Sequence, residues 1–304
     1  MVLALTDQPD PEPAVTELPP ATGTQPIPAR TPFAPATERE ELSHLMGSTT
    51  GPPVPSATLP ATHFTMTTEP TPGSPHVGTE YNAPPTLMLH ASHEGFDAPA
   101  FLRQVLLASA QRRLRIVTYT QLEANPKLLM NGAGDLLIIT IDDVFLQAKL
   151  DPSVQEMISI LLEANAVAVL GVVTEGKAPD ADTAATLRGL GELGWEIATH
   201  GDAHRDLHEI EMESPGHVRY DIRDSRTKIL AAVGVQPTVL ILPYGQMVND
   251  ARLLHKEGIK WAVGISGGRT IDLTDRLIYV GRQAPSGSGE QTLEIMLRPY
   301  LSNE

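Results

Sequence analysis

Two adjacent carboxylates stand at the end of a strongly apolar run of the chain. Asp142 and Asp143 follow residues 136–141, of which five are aliphatic. Such a run indicates a strand buried on both faces, as in a parallel sheet. Two neighbouring carboxylates are both ionised only where a metal ion or hydrogen-bond donors offset their repulsion. The pair therefore indicates a metal or acid–base site, and an Asp-rich turn after a strand is the simpler alternative.

Two histidines separated by four positions, His200 and His204, could bind a metal ion. If the chain turns helical at Gly201, both rings point the same way, as metal ligands at i and i+4 do. Two His and one Asp form a ligand set with open positions for water, which is typical of a catalytic zinc site. Because His208 continues the spacing, the polar face of a surface helix is the alternative, and the upstream Asp pair favours the metal site.

Two further polar residues follow apolar runs that resemble strands. His90 ends the run at 86–89, and Tyr244 stands between a Pro and a Gly after the run at 238–242. Pro ends a hydrogen-bond ladder and Gly permits positive φ, so this turn can aim a backbone N–H into a site. The alternatives are a hydrogen-bonded rim histidine at position 90 and an ordinary strand-to-helix turn at 244.

The elements that must position these residues alternate regularly. Between residues 86 and 300 about seven apolar strands alternate with amphipathic helices, which indicates right-handed β-α-β units on a parallel sheet or barrel. We predict an α/β fold, a distorted and incomplete (β/α) barrel of the TIM type. The carboxyl ends of such strands share one face, where the sites lie. We therefore expect six side chains there: His90, Asp142, Asp143, His200, His204 and Tyr244.

The first part of the chain has a different composition from the rest. Residues 1–85 hold 18 of the 27 Pro, and the first Lys of the chain is Lys127. A Pro/Thr-rich segment of this kind cannot bury enough apolar surface to offset chain entropy. We predict a disordered spacer over residues 1–84 and one folded domain over 85–304. A spacer of this composition suits a protein held at a cell envelope.

Charge and composition exclude several classes of partner. The net charge of −15 argues against nucleic acid and against an anionic membrane surface. Because the chain has no Cys, a transition metal must be held by His, Asp or Glu. No apolar run approaches 18 residues, so we expect no transmembrane segment, and residues 1–5 lack the pattern of a signal peptide. We expect an extracellular or cell-envelope monomer.

Three motifs, in this order, resemble the polysaccharide deacetylase family with the NodB homology domain, carbohydrate esterase family 4. They are Thr140-Ile141-Asp142-Asp143, His200-x-x-x-His204 and Leu242-Pro243-Tyr244-Gly245. The resemblance covers about residues 85–300. Its start, residues 87–90 with the following helix and residues 116–119, is similar to the branch that deacetylates poly-N-acetylglucosamine. Residues 258–263 and 277–282 resemble the family's fourth-motif region and a late strand bearing Arg.

The resemblance implies a metal-dependent hydrolase that removes N-acetyl groups from an N-acetylglucosamine polymer. The metal is expected to be divalent, with zinc as the first choice and cobalt, nickel or iron as alternatives. Asp142 would be the general base, and the backbone N–H of Tyr244 would bind the amide oxygen together with the metal. His90 would protonate the departing amine, because no His follows His255. The implied metal ligands are Asp143, His200 and His204.

Three supporting positions depart from the family pattern. Val144 replaces a Gly, Gly201 replaces a Ser or Thr, and the Arg expected shortly before Pro-Tyr-Gly is absent, with Ile241 and Leu242 in its place. In the family that Arg helps to orient the base Asp. These departures leave two alternatives to the deacetylase: an impaired, deacetylase-like glycan-binding module, and a barrel hydrolase that acts on a small amide.

Overall fold

The computed structural model describes residues 79–130, 132–176 and 178–301. Residues 1–78 of the spacer predicted at 1–84 lie outside the described residues. Within its remaining part, strand β1 (Glu80–Asn82) pairs in antiparallel fashion with Thr270–Asp272, and the two form a small separate sheet. The boundary between spacer and domain stays a prediction.

The remaining elements alternate along the chain. The other strands are β2 (Thr86–Leu89), β3 (Arg115–Ile116), β4 (Leu136–Phe145), β5 (Val169–Val173), β6 (Glu196–Thr199), β7 (Val239–Ile241), β8 (Trp261–Gly264), β9 (Thr270–Asp272) and β10 (Ile278–Gly281). The helices are α1 (Ala98–Gln111), α2 (Tyr119–Ala124), α3 (Pro152–Glu163), α4 (Ala181–Glu192), α5 (Leu207–Glu213), α6 (Pro215–Val233), α7 (Arg252–Lys256) and α8 (Gly289–Leu301). Short 3-10 turns lie at Pro126–Leu129, Ala133–Asp135 and Pro243–Gly245.

Seven of these strands form a parallel sheet in the order β10-β8-β7-β6-β5-β4-β2, and β3 pairs beside the start of β4. The two ends of the sheet meet at a short bridge. The N–H of Gln283 donates to the carbonyl of Thr86, and the N–H of Met88 donates to the carbonyl of Gln283, both at 2.9 Å. The predicted distorted, incomplete α/β barrel is confirmed, and in the part of the chain that the structure describes β9 replaces a helix between β8 and β10.

The strands are buried on both faces, because helices cover the outside of the sheet and side chains fill its inside. Eight of the ten residues of β4 are buried, which explains its nearly continuous apolar sequence. One apolar cluster packs the sheet against α1, α3 and α4, and a second joins side chains of successive strands inside the barrel. Trp261 and Tyr119, with ring centroids 4.9 Å apart, belong to the inner cluster.

Helix starts follow the strand ends closely, so short loops reach the site. Several helices begin at an acidic N-cap whose side chain accepts a backbone N–H of the first turn. These caps are Asp97 for α1, Asp151 for α3, Asp180 for α4 and Asp206 for α5. No described helix is both long enough and apolar enough to cross a membrane.

Candidate metal centre

A β-bulge separates the two adjacent carboxylates. The register of β4 against β5 shifts between Ile141 and Val144, and Asp143 takes a positive φ of 58°. The side chain of Asp142 is 1% exposed, whereas that of Asp143 is 32% exposed. Bulges commonly re-aim side chains next to functional sites. The bulge therefore gives each carboxylate its own surroundings.

Asp143 faces both histidines of the second motif. Its Oδ1 lies 2.9 Å from Nε2 of His204 and 3.3 Å from Nε2 of His200, and one ligand atom from each residue lies within 4.8 Å of the others. Oδ1 is buried, yet it has no hydrogen-bond partner among the described residues. Burial raises the pKa of Asp143, but the two imidazoles outweigh burial and lower it overall. Asp143 in turn raises the pKa of His204.

The tautomer of His200 explains why these atoms suit a metal ion. Its Nδ1 lies 2.7 Å from the carbonyl oxygen of Ile241. A carbonyl only accepts, so Nδ1 carries the proton and Nε2 of the neutral ring presents a lone pair. In this neutral form the lone pairs of His200 and Asp143 face each other at 3.3 Å, whereas a ring protonated at Nε2 would donate to Asp143 and lower its pKa. A cation bound between them would turn that repulsion into coordination, so the residues present fit a metal ion.

The His200–His204 segment is not helical, so the helical turn considered at Gly201 does not form. Gly201 has φ +79° and His204 has φ +47°, while α5 begins only at Leu207. The two rings still converge, with centroids 4.9 Å apart. A Cβ at position 201 would lie 2.9 Å from Oδ1 of Asp221, so glycine, and not the family's Ser or Thr, fits here. His208 lies outside the three-residue group.

Asp142 is bound by Arg282, the arginine of the late strand, for which the sequence predicted no role. Nη1 of Arg282 lies 2.7 Å from both carboxylate oxygens of Asp142 and 2.9 Å from Oγ1 of Thr140. Both side chains of the Asp142–Arg282 pair are 1% exposed. Arg282 directly follows β10, so an arginine from the last strand contacts the carboxylate that the missing third-motif Arg was expected to orient. The only sequence signal was an Arg at a strand end.

His90 lies beside both carboxylates at the end of β2, which neighbours β4. Its Nε2 is 3.8 Å from Oδ2 of Asp142 and 3.9 Å from Oδ2 of Asp143. These distances exceed a direct hydrogen bond. With 41% of its side chain exposed, His90 stands at the open edge of the site, where a substrate atom could enter between it and the carboxylates.

Tyr244 lies beside His204 at an exposed edge of the site. It has φ 58° and ψ 0° within the turn Pro243–Gly245, and its exposed ring lies 5.4 Å from the ring of His204. Gly245 has φ +77°, and a Cβ there would lie 2.6 Å from Ile265, so only glycine permits this turn. All six residues predicted from the sequence thus meet at the carboxyl ends of the strands.

The remaining departure, Val144, has a structural reason. Val144 resumes the ladder after the bulge, where it pairs with Val172, and it is buried. Strain is concentrated elsewhere: five non-glycine residues have positive φ in the described ranges, and three of them, Asp143, His204 and Tyr244, lie in the site. Such strain persists only where the surrounding structure enforces it, and it clusters at functional sites.

The fold and the site together define the class of protein: an α/β barrel with a candidate Asp-His-His metal centre at the carboxyl ends of its strands. Residues 130–260 match the family model described as polysaccharide deacetylase. This match covers all three motifs, so the resemblance to the polysaccharide deacetylase family, with its NodB domain, is confirmed over these residues.

Several solved structures share the fold. The Streptococcus pyogenes deacetylase PplD in complex with acetate is 19% identical with a TM-score of 0.57, over 72% of this chain and 99% of that one. A de-N-acetylase from Aggregatibacter actinomycetemcomitans is 18% identical with a TM-score of 0.56, over 72% and 100%. IcaB from Ammonifex degensii is 14% identical with a TM-score of 0.57, over 71% and 97%. No curated protein sequence gives a significant match.

Proposed function

We propose that this chain is a metal-dependent hydrolase that removes N-acetyl groups from a polysaccharide containing N-acetylglucosamine. The observation that carries the proposal is the convergence of Asp143, His200 and His204 beside a second, separately bound carboxylate, Asp142. The match of residues 130–260 to the polysaccharide deacetylase family model supports the same activity.

Asp143, His200 and His204 would hold a divalent metal ion. One carboxylate and two imidazoles leave coordination positions open, which suits a catalytic zinc site, and cobalt, nickel or iron also accept these donors. When bound, such an ion polarises the amide carbonyl and makes a coordinated water more acidic. The hydrogen bond from Nδ1 of His200 to the carbonyl of Ile241 would orient the ring so that Nε2 could bind the ion.

The remaining residues would move the two protons that amide hydrolysis requires. Asp142, held by Arg282 at both oxygens, would accept a proton from the attacking water. His90 would donate a proton from Nε2 to the departing nitrogen, from its position beside the two carboxylates. The backbone N–H of Tyr244 would stabilise the oxyanion, because the strained turn presents this residue beside His204.

An open site favours a polymer over a small amide. The side chains of His90 and Tyr244 are both exposed, and a cavity of about 500 Å³ extends from Asp143 along the loop that contains Phe145 and Lys149. An exposed Phe145 ring lies 6.2 Å from the ring of His204. Aromatic side chains beside an open groove suit the apolar faces of sugar rings. The similarity of residues 87–90 to the poly-N-acetylglucosamine branch points to that polymer, outside the cell or at its envelope.

The structure of the supporting positions favours an enzyme over an impaired binding module. Arg282 contacts the base carboxylate in place of the missing third-motif Arg, and Gly201 fits beside Asp221 where a Ser or Thr would collide. Val144 continues a strand ladder. Each departure therefore has a local explanation that leaves the catalytic groups in place.

Acetate release from an acetylated chito-oligosaccharide tests the proposal. We expect release with added zinc, cobalt or nickel, and a fall of about 10²- to 10⁴-fold for Asp142→Asn, since the general base is lost while its shape remains. The matched control is Asp224→Asn on α6, because Asp224 lies far from Asp142 in the sequence. This variant should retain wild-type activity. Absence of acetate with every metal, with glycan still bound, would instead identify a binding module.

A further inference from the structure

The loop that carries two of the three metal ligands has no secondary structure of its own. The histidine loop, residues 200–204, lies between β6 and α5 and contains positive φ angles at Gly201 and His204. A histidine in the left-handed region persists only when neighbouring structure enforces it. The contacts that enforce it come from α6, which follows the loop in the chain.

Asp221 of α6 binds the backbone of the histidine loop with both carboxylate oxygens. Oδ1 accepts the N–H of Asp202 at 2.9 Å, and Oδ2 accepts the N–H of Ala203 at 3.0 Å. Asp221 is only 7% exposed, so these bonds are shielded from water. Two consecutive N–H groups thus share one buried carboxylate, which fixes the orientation of the peptide units between His200 and His204.

Two more residues on the same face of α6 reinforce this contact. Ser225 and Lys228 stand four and seven positions after Asp221, which places all three on one helix face. Oγ of Ser225 lies 2.6 Å from Oγ1 of Thr199, directly before the loop. Nζ of Lys228 lies 2.6 Å from Oδ1 of Asp202. The face therefore holds the loop at its start and at its centre.

The same contacts keep a competing carboxylate away from the metal ligands. Asp202 lies between the two histidines in the sequence and could compete for the ion. Instead, its Oδ1 accepts from Oγ1 of Thr174 at 2.6 Å and from Nζ of Lys228 at 2.6 Å. Asp202 is accordingly absent from the group of converging ligand atoms that the structure describes.

We propose that Asp221 is a positioning residue that sets the metal affinity, with Lys228 and Ser225 in supporting roles. This inference rests on the proposed metal site. Gly201 and Asp221 act as a unit, because the missing Cβ admits the carboxylate that holds the loop from outside. Asp221→Asn keeps the shape but turns an NH₂ group toward one of the two N–H donors, so the loop loses a bond and gains a repulsion. Partners that orient metal ligands typically contribute about 10- to 100-fold in affinity.

Titration of the full-length, metal-free protein with Co²⁺, followed by its visible absorption, tests this role. We expect Asp221→Asn to weaken binding by about 10- to 100-fold and to alter the band shape, which reports ligand geometry. Asp224→Asn is the matched control on the same helix, because its side chain makes no hydrogen bond or ion pair with a described residue, and it should bind like the wild type. The unfolding temperature of each variant in chelator separates lost affinity from lost folding.

The outcomes separate the inference from the function on which it rests. An unchanged cobalt dissociation constant in Asp221→Asn, with tight binding by the wild type, overturns the positioning role and leaves the proposed function intact. No cobalt binding by the wild type contradicts the metal site itself. If Asp221→Asn does not fold, Lys228→Met serves instead: a several-fold weaker affinity supports the α6 contact, and an unchanged affinity overturns it.

Discussion

Each of the two adjacent carboxylates is stabilised by a different kind of partner. Asp142 is buried against the guanidinium of Arg282, whereas Asp143 faces two imidazole nitrogens. In an uninterrupted strand the two side chains would point to opposite faces of the sheet. The bulge in β4 instead keeps both carboxylates near His90, each with its own partners. The proposed base is thereby held beside the proposed metal ligand.

The buried Asp142–Arg282 pair leads to a prediction about stability. Arg282→Met removes the cation and leaves Asp142 as an uncompensated buried charge, which we expect to cost about 3–5 kcal/mol in the free energy of unfolding. Adding Asp142→Asn removes that charge. The double variant should therefore be more stable than Arg282→Met alone, in urea denaturation monitored by circular dichroism.

The comparison with Arg282→Lys serves as the control. Lysine keeps the charge but cannot reproduce the planar guanidinium that contacts Thr140 and both oxygens of Asp142, so we expect an intermediate loss. If the losses from Arg282→Met and Asp142→Asn simply add in the double variant, the pair is not the coupled unit that its geometry indicates.

Among the elements, the start of β6 carries a buried carboxylate at the end of the barrel away from the site. Oε2 of Glu196 accepts the N–H of Tyr119 at 2.8 Å and that of Thr120 at 3.4 Å, in the first turn of α2. Burial is the main cause that raises the pKa of Glu196 from 4.5 to about 7. The folded chain therefore binds more protons than the unfolded chain between these two values.

This shift makes stability fall as the pH rises. Between about pH 4.5 and 7 the folded state holds a proton that the unfolded state has lost. As the pH rises through this range, the free energy of unfolding therefore decreases, by roughly 3 kcal/mol at most. Glu196→Gln keeps an acceptor for Tyr119 and cannot ionise. We expect the urea midpoint of the variant, relative to that of the wild type, to be higher at pH 8 than at pH 5. An equal difference at both pH values would contradict this assignment.

How much the sequence could predict differs between elements and their connections. The apolar run of β4 and the alternation of strands and helices predicted the barrel, and the strand ends predicted that six polar residues would lie on one face, because both depend on local periodicity. The backbone conformation at Gly201 could not be predicted locally, because Asp221, from another element, binds the residues that follow it. The role of Arg282 depends on a contact across 140 positions, which no local pattern contains.

At the scale of the whole molecule, the closure of the barrel and the site depend on each other. Gln283 forms the bridge between β10 and β2, and the preceding residue, Arg282, reaches Asp142 on β4. His90 directly follows β2, the strand on the other side of this seam. The seam that joins the first and last strands of the sheet therefore positions two of the groups that flank the candidate base.

A metal ion bound by β4 and the histidine loop should stabilise the entire fold. Binding to the folded state alone adds RT ln(1 + [metal]/Kd), about 2.7 kcal/mol at a metal concentration 100 times Kd. For a domain of this size that corresponds to a rise of roughly 5–10 °C in the unfolding temperature. We expect calorimetry to show this rise with zinc and its reversal by a chelator. His204→Ala should abolish it, whereas His208→Ala should retain it, because His208 lies outside the converging group. An equal zinc effect in both variants would place the ion elsewhere.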